Sequence, residues 1–123
     1  MQAVIEFLKV LSDPTRLKMI KLLQTSELAV CEIAFVMGVS QPTVSQHLRK
    51  LDRLGLIKER REGLIRYCTA DESVLQQLLM QVQALLSAEA ITLPAMQDPI
   101  SRLMEVKQLD PLQMCKSSNC RKR

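Results

Sequence analysis

The residues best suited to chemistry lie in the middle of the chain, where positive charge and hydrogen-bonding side chains concentrate. The 123-residue sequence has a formal net charge of +4. Residues 41–66 hold seven basic and three acidic side chains, so this fifth of the chain carries the whole excess. Such a concentration is the electrostatic footprint of a surface that binds a polyanion, most simply DNA. Judged by charge alone, a solvated face with clustered charges is an equally good interpretation.

The four cysteines are the second set of candidates. No stretch of 18 apolar residues could span a membrane, and the N-terminus lacks the features of a signal peptide, so we expect a cytoplasmic protein. Cysteines there are more often ligands, redox groups or buried thiols than disulfides. A thiol enzyme would need a Cys-x-x-Cys pair or an anion-cradling loop, and the sequence has neither. With one histidine, general-base chemistry also has almost no candidate, so we expect no enzymatic activity.

Composition favours a small, mainly α-helical protein. Hydrophobic residues make up 47% of the chain, which is enough for a core and excludes pervasive disorder. Aromatic residues make up only 2%, which argues against a stacking platform for single-stranded nucleic acid. Three glycines and five prolines are too few for a many-turned β-barrel.

Apolar spacing predicts five helices and one hairpin. Apolar residues recur every three or four positions, as on one face of an amphipathic helix. The predicted helices span residues 3–11, 14–23, 29–37, 41–54 and 72–88, the predicted strands span 56–59 and 65–69, and one further short helix is expected near 99–108. The residues placed on apolar faces are Val4, Phe7, Leu8, Leu11, Leu17, Ile20, Leu23, Val44, Leu48, Leu51, Leu75, Leu78, Leu79, Val82, Leu85 and Leu86.

The two helices around Gly38 fit a helix-turn-helix. Ala34 is small enough for close helix approach, Gly38 permits the sharp turn, and Val44 anchors the second helix. The second helix would enter the major groove, and the basic hairpin after it would lie along the DNA backbone as a wing. An ordinary helical bundle explains neither the exposed hydrogen-bonding residues of the second helix nor the basic hairpin that follows it. The predicted DNA contacts are Gln41, Thr43, Ser45, Gln46, His47, Arg49 and Lys50 on the helix and Arg60, Arg61 and Arg66 on the hairpin.

Three segments and two short motifs carry a family resemblance: LSDPTRL at 11–17, ELAVCEI at 27–33, SQPTVSQHLRKL at 40–51, GLI at 55–57 and REG at 61–63. Over residues 1–88 they resemble the ArsR/SmtB repressors. The resemblance implies a homodimer, joined through its first and last helices, that binds a near-palindromic DNA operator. It also implies release from DNA by a metal, metalloid or thiol-reactive inducer. We accordingly assign residues 1–90 to a winged helix-turn-helix DNA-binding and dimerisation domain and 91–123 to a C-terminal tail with a cysteine pair.

Within that resemblance, the ligand inventory indicates a thiophilic inducer. Zinc sensors of this kind use histidines on the last helix, where this chain has none. Arsenic-responsive members commonly carry Cys-Val-Cys where this chain has Ala29 and Cys31. Trivalent arsenic and antimony favour about three thiolates, so Cys115 and Cys120 would complete a site with Cys31. We therefore expect an arsenic-responsive repressor with arsenite or antimonite as its inducer ligand and no organic cofactor.

Other interpretations of these residues stay open at this point. Cys31 is equally a candidate for a buried small residue, and Cys115 and Cys120 for part of a basic tail that adds DNA affinity. A disulfide or polysulfide link from Cys31 to either of them would make a redox sensor. A DNA-binding protein without any inducer is a further alternative. We expect Cys68 to pack against the core and His47 to face the groove or to pack.

Overall fold

The computed structural model describes residues 1–109 and residue 112. These residues belong to two compact units, one of Met1–Ala84 and one that begins at Leu85. In chain order the elements are α1 (Gln2–Leu11), α2 (Pro14–Thr25), β1 (Leu28–Ala29), α3 (Val30–Met37), α4 (Gln41–Arg53), β2 (Ile57–Glu62), β3 (Ile65–Ala70), α5 (Glu72–Ser87) and α6 (Gln97–Lys107), with 3₁₀ turns at Ala90–Thr92 and Pro94–Met96.

The helix boundaries follow from local capping chemistry. The Asp13 carboxylate accepts hydrogen bonds from the backbone N–H groups of Thr15 (2.8 Å) and Arg16 (3.2 Å), which begins α2 at Pro14. The Glu32 side chain reaches back to the backbone N–H of Ala29 at 2.9 Å and so fixes the start of α3. Gly55 follows α4 with a φ of 71°, which a residue with a side chain rarely adopts.

The sheet has three antiparallel strands in the order β1-β3-β2. The hairpin strands are longer than predicted, because Arg60, Arg61 and Glu62 continue β2 and leave only Gly63 and Leu64 for the turn. Strand β1 was not predicted. Two residues are too short for an alternating pattern, and this strand forms only because β3 offers it an edge.

The core of the first unit is built where the helices meet the sheet. Phe7, Met19, Ile33, Leu48 and Leu56 are almost completely buried there. The mainly α fold with a β hairpin is therefore confirmed.

The inward stripe of α2 differs from the predicted one. Leu17, expected inside, is 46% exposed, and the buried positions are Arg16, Met19, Ile20 and Leu23. These four residues have the i, i+3, i+4, i+7 spacing of one helix face, and a charged residue occupies the first position. Because Arg16 is charged, the spacing of apolar residues alone did not identify this buried face.

The second unit contains the 3₁₀ turns and α6, close to the helix expected near 99–108. The Gln97 side chain donates hydrogen bonds to the carbonyls of Ile91 (3.3 Å) and Leu93 (3.5 Å) and so ties the turns to the start of α6. Cys115 and Cys120 lie outside the described residues. Nowhere in the described part of the chain is a helix both long enough and apolar enough to cross a membrane.

Candidate nucleic-acid interface

The turn between α3 and α4 has the geometry of a helix-turn-helix. Gly38 adopts a φ of 68°, in the left-handed region, and the Val39 N–H donates to the Ala34 carbonyl at 3.1 Å. The Ser40 hydroxyl accepts a hydrogen bond from the Thr43 backbone N–H at 3.3 Å and caps α4. The turn therefore fixes the direction of α4 relative to α3.

Helix α4 is divided cleanly into a buried face and an exposed face. Val44, Leu48 and Leu51 are at most 1% exposed and hold the helix against the core. The predicted contact residues lie off this face: Gln41, Gln46, Arg49 and Lys50 are exposed, and Thr43, Ser45 and His47 are half-buried.

Hydrogen bonding divides this set further. The Thr43 hydroxyl lies 2.8 Å from the Ser40 hydroxyl and so belongs to the cap. The Arg49 Nε donates to the Ser45 carbonyl at 3.4 Å. Within the described residues, the side chains of Gln41, Gln46 and Lys50 have no hydrogen bond or ion pair. These three are ready to bind an outside partner without first breaking an internal contact.

On the wing, Arg60 is already occupied. Its Nη2 donates to the Glu27 carboxylate at 2.6 Å and its Nη1 to Glu62 at 3.0 Å. Its guanidinium also lies 4.6 Å from the centre of the Tyr67 ring. The hydrogen bond from Arg60 lowers the pKa of Glu27, so this carboxylate stays ionised at neutral pH. These contacts of Arg60 with Glu27 and Glu62 form a clamp. A phosphate contact of Arg60, as predicted, would have to compete with this clamp.

Arg61 and Arg66 form the cationic pair of the wing. The strand register places them directly opposite each other, so both project from the same face of the hairpin. Among the described residues, one carboxylate lies within 4.0 Å of either guanidinium: the Glu59 Oε1 is 3.8 Å from the Arg66 Nε. Like charges directly opposite each other destabilise a hairpin. This pair is the part of the wing best suited to a phosphate.

The two described cysteines differ in exposure. Cys31, in the first turn of α3, is exposed, so the interpretation of this residue as a buried small side chain is wrong. Cys68 is completely buried opposite Glu59 in the sheet, as expected. Burial raises the pKa of the Cys68 thiol to about 11, which keeps it protonated at neutral pH.

The described residues do not by themselves assemble a metal site. Within the described residues, no group of three or more His, Cys, Asp or Glu side chains could hold an ion. Of the three predicted thiolate ligands, the structure places Cys31 alone.

Arg16 is a buried residue behind the candidate interface that the sequence did not reveal. It is 91% buried, and its Nε donates to the Val10 carbonyl at 2.6 Å. Its Nη1 lies 3.4 Å from the His47 Nδ1 and 3.8 Å from the Asp13 carboxylate. Arg16 thus joins the end of α1 to α4. An arginine on the apolar face of α2, three residues after the cap, is the signal that could have marked it.

Comparison with known proteins adds to this geometry. The profile of the family described as "Bacterial regulatory protein, arsR family" matches residues 13–59. A winged helix-turn-helix DNA-binding domain from Mycobacterium bovis, described as homodimeric and as a possible ArsR-family regulator, is 34% identical. The alignment covers 72% of this chain and 83% of that domain, with a TM-score of 0.57. The chain belongs to the ArsR family.

Two curated ArsR-family relatives differ in what their names say they respond to. A cadmium resistance regulator, a CadC homolog from Staphylococcus aureus, is 40% identical over 77 residues, which is 62% of this chain and 64% of the relative. An arsenical resistance operon repressor from Staphylococcus xylosus is 43% identical over 56 residues, 46% of this chain and 54% of the relative. Each alignment spans less than two thirds of the relative's length.

Proposed function

We propose that this ArsR-family chain is a homodimeric transcriptional repressor that binds a near-palindromic DNA operator and leaves it when a thiophilic inducer binds. One observation carries the DNA-binding half. The exposed face of α4 presents Gln41, Gln46 and Lys50 without internal partners, beside a wing with the cationic pair Arg61 and Arg66. Glutamine amides can read adenine edges in the major groove, and arginines can hold backbone phosphates.

The dimer rests on apolar surface that the first unit leaves exposed. Ile5 and Leu8 on α1, and Leu79 and Met80 on α5, are each between 38% and 67% exposed. Side chains of this size are costly to leave in water, and a second copy of the chain would cover them. A two-fold dimer would place two copies of α4 in successive major grooves.

For the inducer, we propose trivalent arsenic or antimony bound by Cys31, Cys115 and Cys120. Cys31 supports this assignment because its exposed thiol lies at the start of α3, the helix that ends at the Gly38 turn. A ligand that pulls on this end of α3 would shift the turn and with it the helix that meets DNA. A 100-fold loss of DNA affinity needs only ~2.8 kcal/mol of differential inducer binding between the two states.

A redox repressor is the second candidate, and the exposure of Cys31 favours it as well. The Cys31 thiolate would attack an S–S bond of a polysulfide, leaving a Cys31 persulfide and a shorter polysulfide. The thiolate of Cys115 or Cys120 would then attack the inner sulfur of that persulfide, form a disulfide with Cys31 and release hydrosulfide. The metalloid site needs all three thiols and the redox link needs Cys31 with either of the other two, so loss of the response in Cys31→Ser or in the Cys115→Ser/Cys120→Ser double variant does not separate them.

The deciding experiment is fluorescence anisotropy of a labelled operator duplex with the reduced full-length protein. Arsenite, antimonite, cadmium, zinc and a polysulfide are titrated in parallel. We expect release by arsenite or antimonite, lost in Cys31→Ser and in the Cys115→Ser/Cys120→Ser double variant. Cys68→Ala is the matched control and should respond like the wild type, because this buried thiol lies outside the proposed site.

Each other outcome has a clear meaning. Release by polysulfide alone, with a mass shift that reduction reverses, would make the protein a redox repressor. Release by nothing would leave a DNA-binding dimer without a thiol inducer. Failure to bind any duplex would refute the DNA-binding half.

A further inference from the structure

Two adjoining clefts beside the exposed face of α4 are lined mainly by cations. The first, about 240 Å³, lies between α1 and α4 and includes Lys9 and Arg16. The second, about 330 Å³, is lined by Gln46, His47, Arg49, Lys50 and Arg53. Lys50 and Arg53 line both clefts. An oxyanion is the ligand that such a lining would attract.

Negative charge is scarce in these clefts. Within the part of the chain that the structure describes, Glu6 is the one carboxylate that lines them, and one of its oxygens already accepts a hydrogen bond from the Gln2 side chain at 3.1 Å. Neither Lys50 nor Arg53 has a carboxylate within 4.0 Å among residues 1–109. The two shared cations are therefore uncompensated.

The His47 imidazole also lines the second cleft, and its contact with Arg16 indicates which of its nitrogens is free to donate. The Arg16 Nη1 lies 3.4 Å from the His47 Nδ1, at the long end of the hydrogen-bond range. A guanidinium has only donors, so a hydrogen bond between these two side chains requires Nδ1 to accept. In that tautomer the ring proton lies on Nε2.

Arg16 is itself firmly held. Its Nε donates to the Val10 carbonyl at 2.6 Å and its Nη2 to the Lys9 carbonyl at 3.5 Å. The Asp13 carboxylate lies 3.8 Å from its Nη1. A guanidinium fixed from three sides fixes the imidazole that it contacts, much as an outer-shell partner orients a histidine that binds a metal.

We propose that His47, Lys50 and Arg53 bind a phosphate of the DNA backbone, and that Arg16 is a positioning residue that makes the His47 Nε2 the donor. This inference rests on the proposed DNA-binding function. DNA is the source of the phosphate because the cleft continues the reading face. Gln46, Lys50 and Arg53 are four and three residues apart, so they lie along one side of α4.

Two substitutions at His47 distinguish a role of its Nε2 from a role of its Nδ1. The amide of glutamine reaches the position of Nε2, whereas that of asparagine reaches only the position of Nδ1. We expect His47→Gln to bind both an operator and an unrelated duplex within about twofold of wild type, and His47→Asn to bind both about tenfold more weakly. Both variants keep every lysine and arginine of the interface, so we expect the salt dependence to stay the same.

Substitution of Lys50 or Arg53, the two cations that line both clefts, should instead change the salt dependence of DNA affinity. Lys50→Gln and Arg53→Gln should each reduce the slope of log K against log salt by about one, because each removes a phosphate contact. Lys21→Gln on α2 is the matched control. That lysine lines an apolar cleft beside Leu17 and Val36, and its loss should leave the slope unchanged.

A measurement without DNA tests the role of Arg16. The chain has one histidine, so ¹⁵N NMR of the untagged, histidine-labelled protein reports His47 alone. We expect the neutral imidazole to carry its proton on Nε2 in the wild type, and the Arg16→Lys variant to show a mixture of tautomers. A proton on Nδ1 in the wild type would refute the positioning role.

The binding data separate the remaining outcomes. Equal losses in His47→Gln and His47→Asn would mean a packing role, and a loss confined to the operator would mean base reading; either refutes the phosphate contact. If Lys50→Gln and Arg53→Gln weaken binding of inorganic phosphate but not of DNA, the cleft takes a free anion instead. A wild type that binds no duplex would refute the proposed function together with this inference, whereas normal binding by every cleft variant would refute this inference alone.

Discussion

The exposed face of α4 and the wing both carry polar and basic side chains, but they differ in how many internal contacts these side chains already make. On α4, Gln41, Gln46 and Lys50 have no hydrogen bond or ion pair within the described residues. On the wing, Arg60 is bound to two carboxylates and stacked on an aromatic ring. The helix is ready to make new contacts, whereas this arginine must exchange old contacts for new ones.

The two regions also differ in how they are supported. Every third or fourth residue of α4 is buried in the core, from Val44 to Leu51. The wing is anchored at its base by Ile57 and Cys68, while its tip, at Leu64, is fully exposed. Rigid placement suits side chains that read base edges, and a less supported hairpin suffices for contacts to the phosphate backbone.

The largest expected effect tests this difference in support. Leu48→Ala should lower the free energy of unfolding by about 2–5 kcal/mol, because it opens a cavity in a packed core. Leu64→Ala at the tip of the wing should change it by less than about 0.5 kcal/mol. Urea denaturation followed by circular dichroism measures both values. A comparable loss in the two variants would mean that the tip packs against something in solution.

The next effect tests the helix as the reading element. Gln46→Ala should cost about 1–3 kcal/mol of affinity on the operator if its amide binds an adenine in the bidentate manner. It should leave an unrelated duplex almost unaffected. Anisotropy titrations on both duplexes at one salt concentration measure the ratio. An equal loss on the two duplexes would move Gln46 from base reading to backbone contact.

A third experiment compares two neighbouring arginines of the wing. Arg61→Ala should reduce the slope of log K against log salt by about one on every duplex, because Arg61 has no internal partner among the described residues. Arg60→Ala should reduce it less, because Glu27 and Glu62 already neutralise that guanidinium. Titrations of both variants from low to moderate salt decide between them. Equal slopes would show that DNA displaces the clamp completely.

The sequence predicted the reading helix well because its determinants are local. Ser40 caps it, Gly38 and Gly55 flank it, and an apolar stripe of regular spacing fixes its buried face. Each of these signals lies within the helix or next to it, so the local sequence was enough to predict it.

The missed features depend on contacts between distant parts of the chain. The clamp joins Glu27 to Arg60, 33 positions apart, and the contact of Arg16 with His47 spans 31 positions. Nothing in the local pattern distinguishes Arg60 from Arg61, so both were assigned to phosphate. The pairing of β1 with β3 creates the difference, because it brings Glu27 beside the wing.

The smallest effect comes from release of the clamp itself. Glu27→Gln keeps the size of the side chain but removes its charge, which frees Arg60 for phosphate and should raise affinity for any duplex by less than about fivefold.

The ion pair of Glu27 and Arg60 should also affect how the free energy of unfolding depends on pH. The hydrogen bond from Arg60 lowers the pKa of Glu27, so the contribution of the pair is complete above the ordinary carboxyl value of 4.5 and disappears as the pH falls through the lower folded value. The unfolding free energies of wild type and variant should therefore converge in acid and differ at neutral pH. Curves that stay parallel at every pH would mean that the charge of Glu27 contributes nothing to stability and does not hold Arg60 away from DNA.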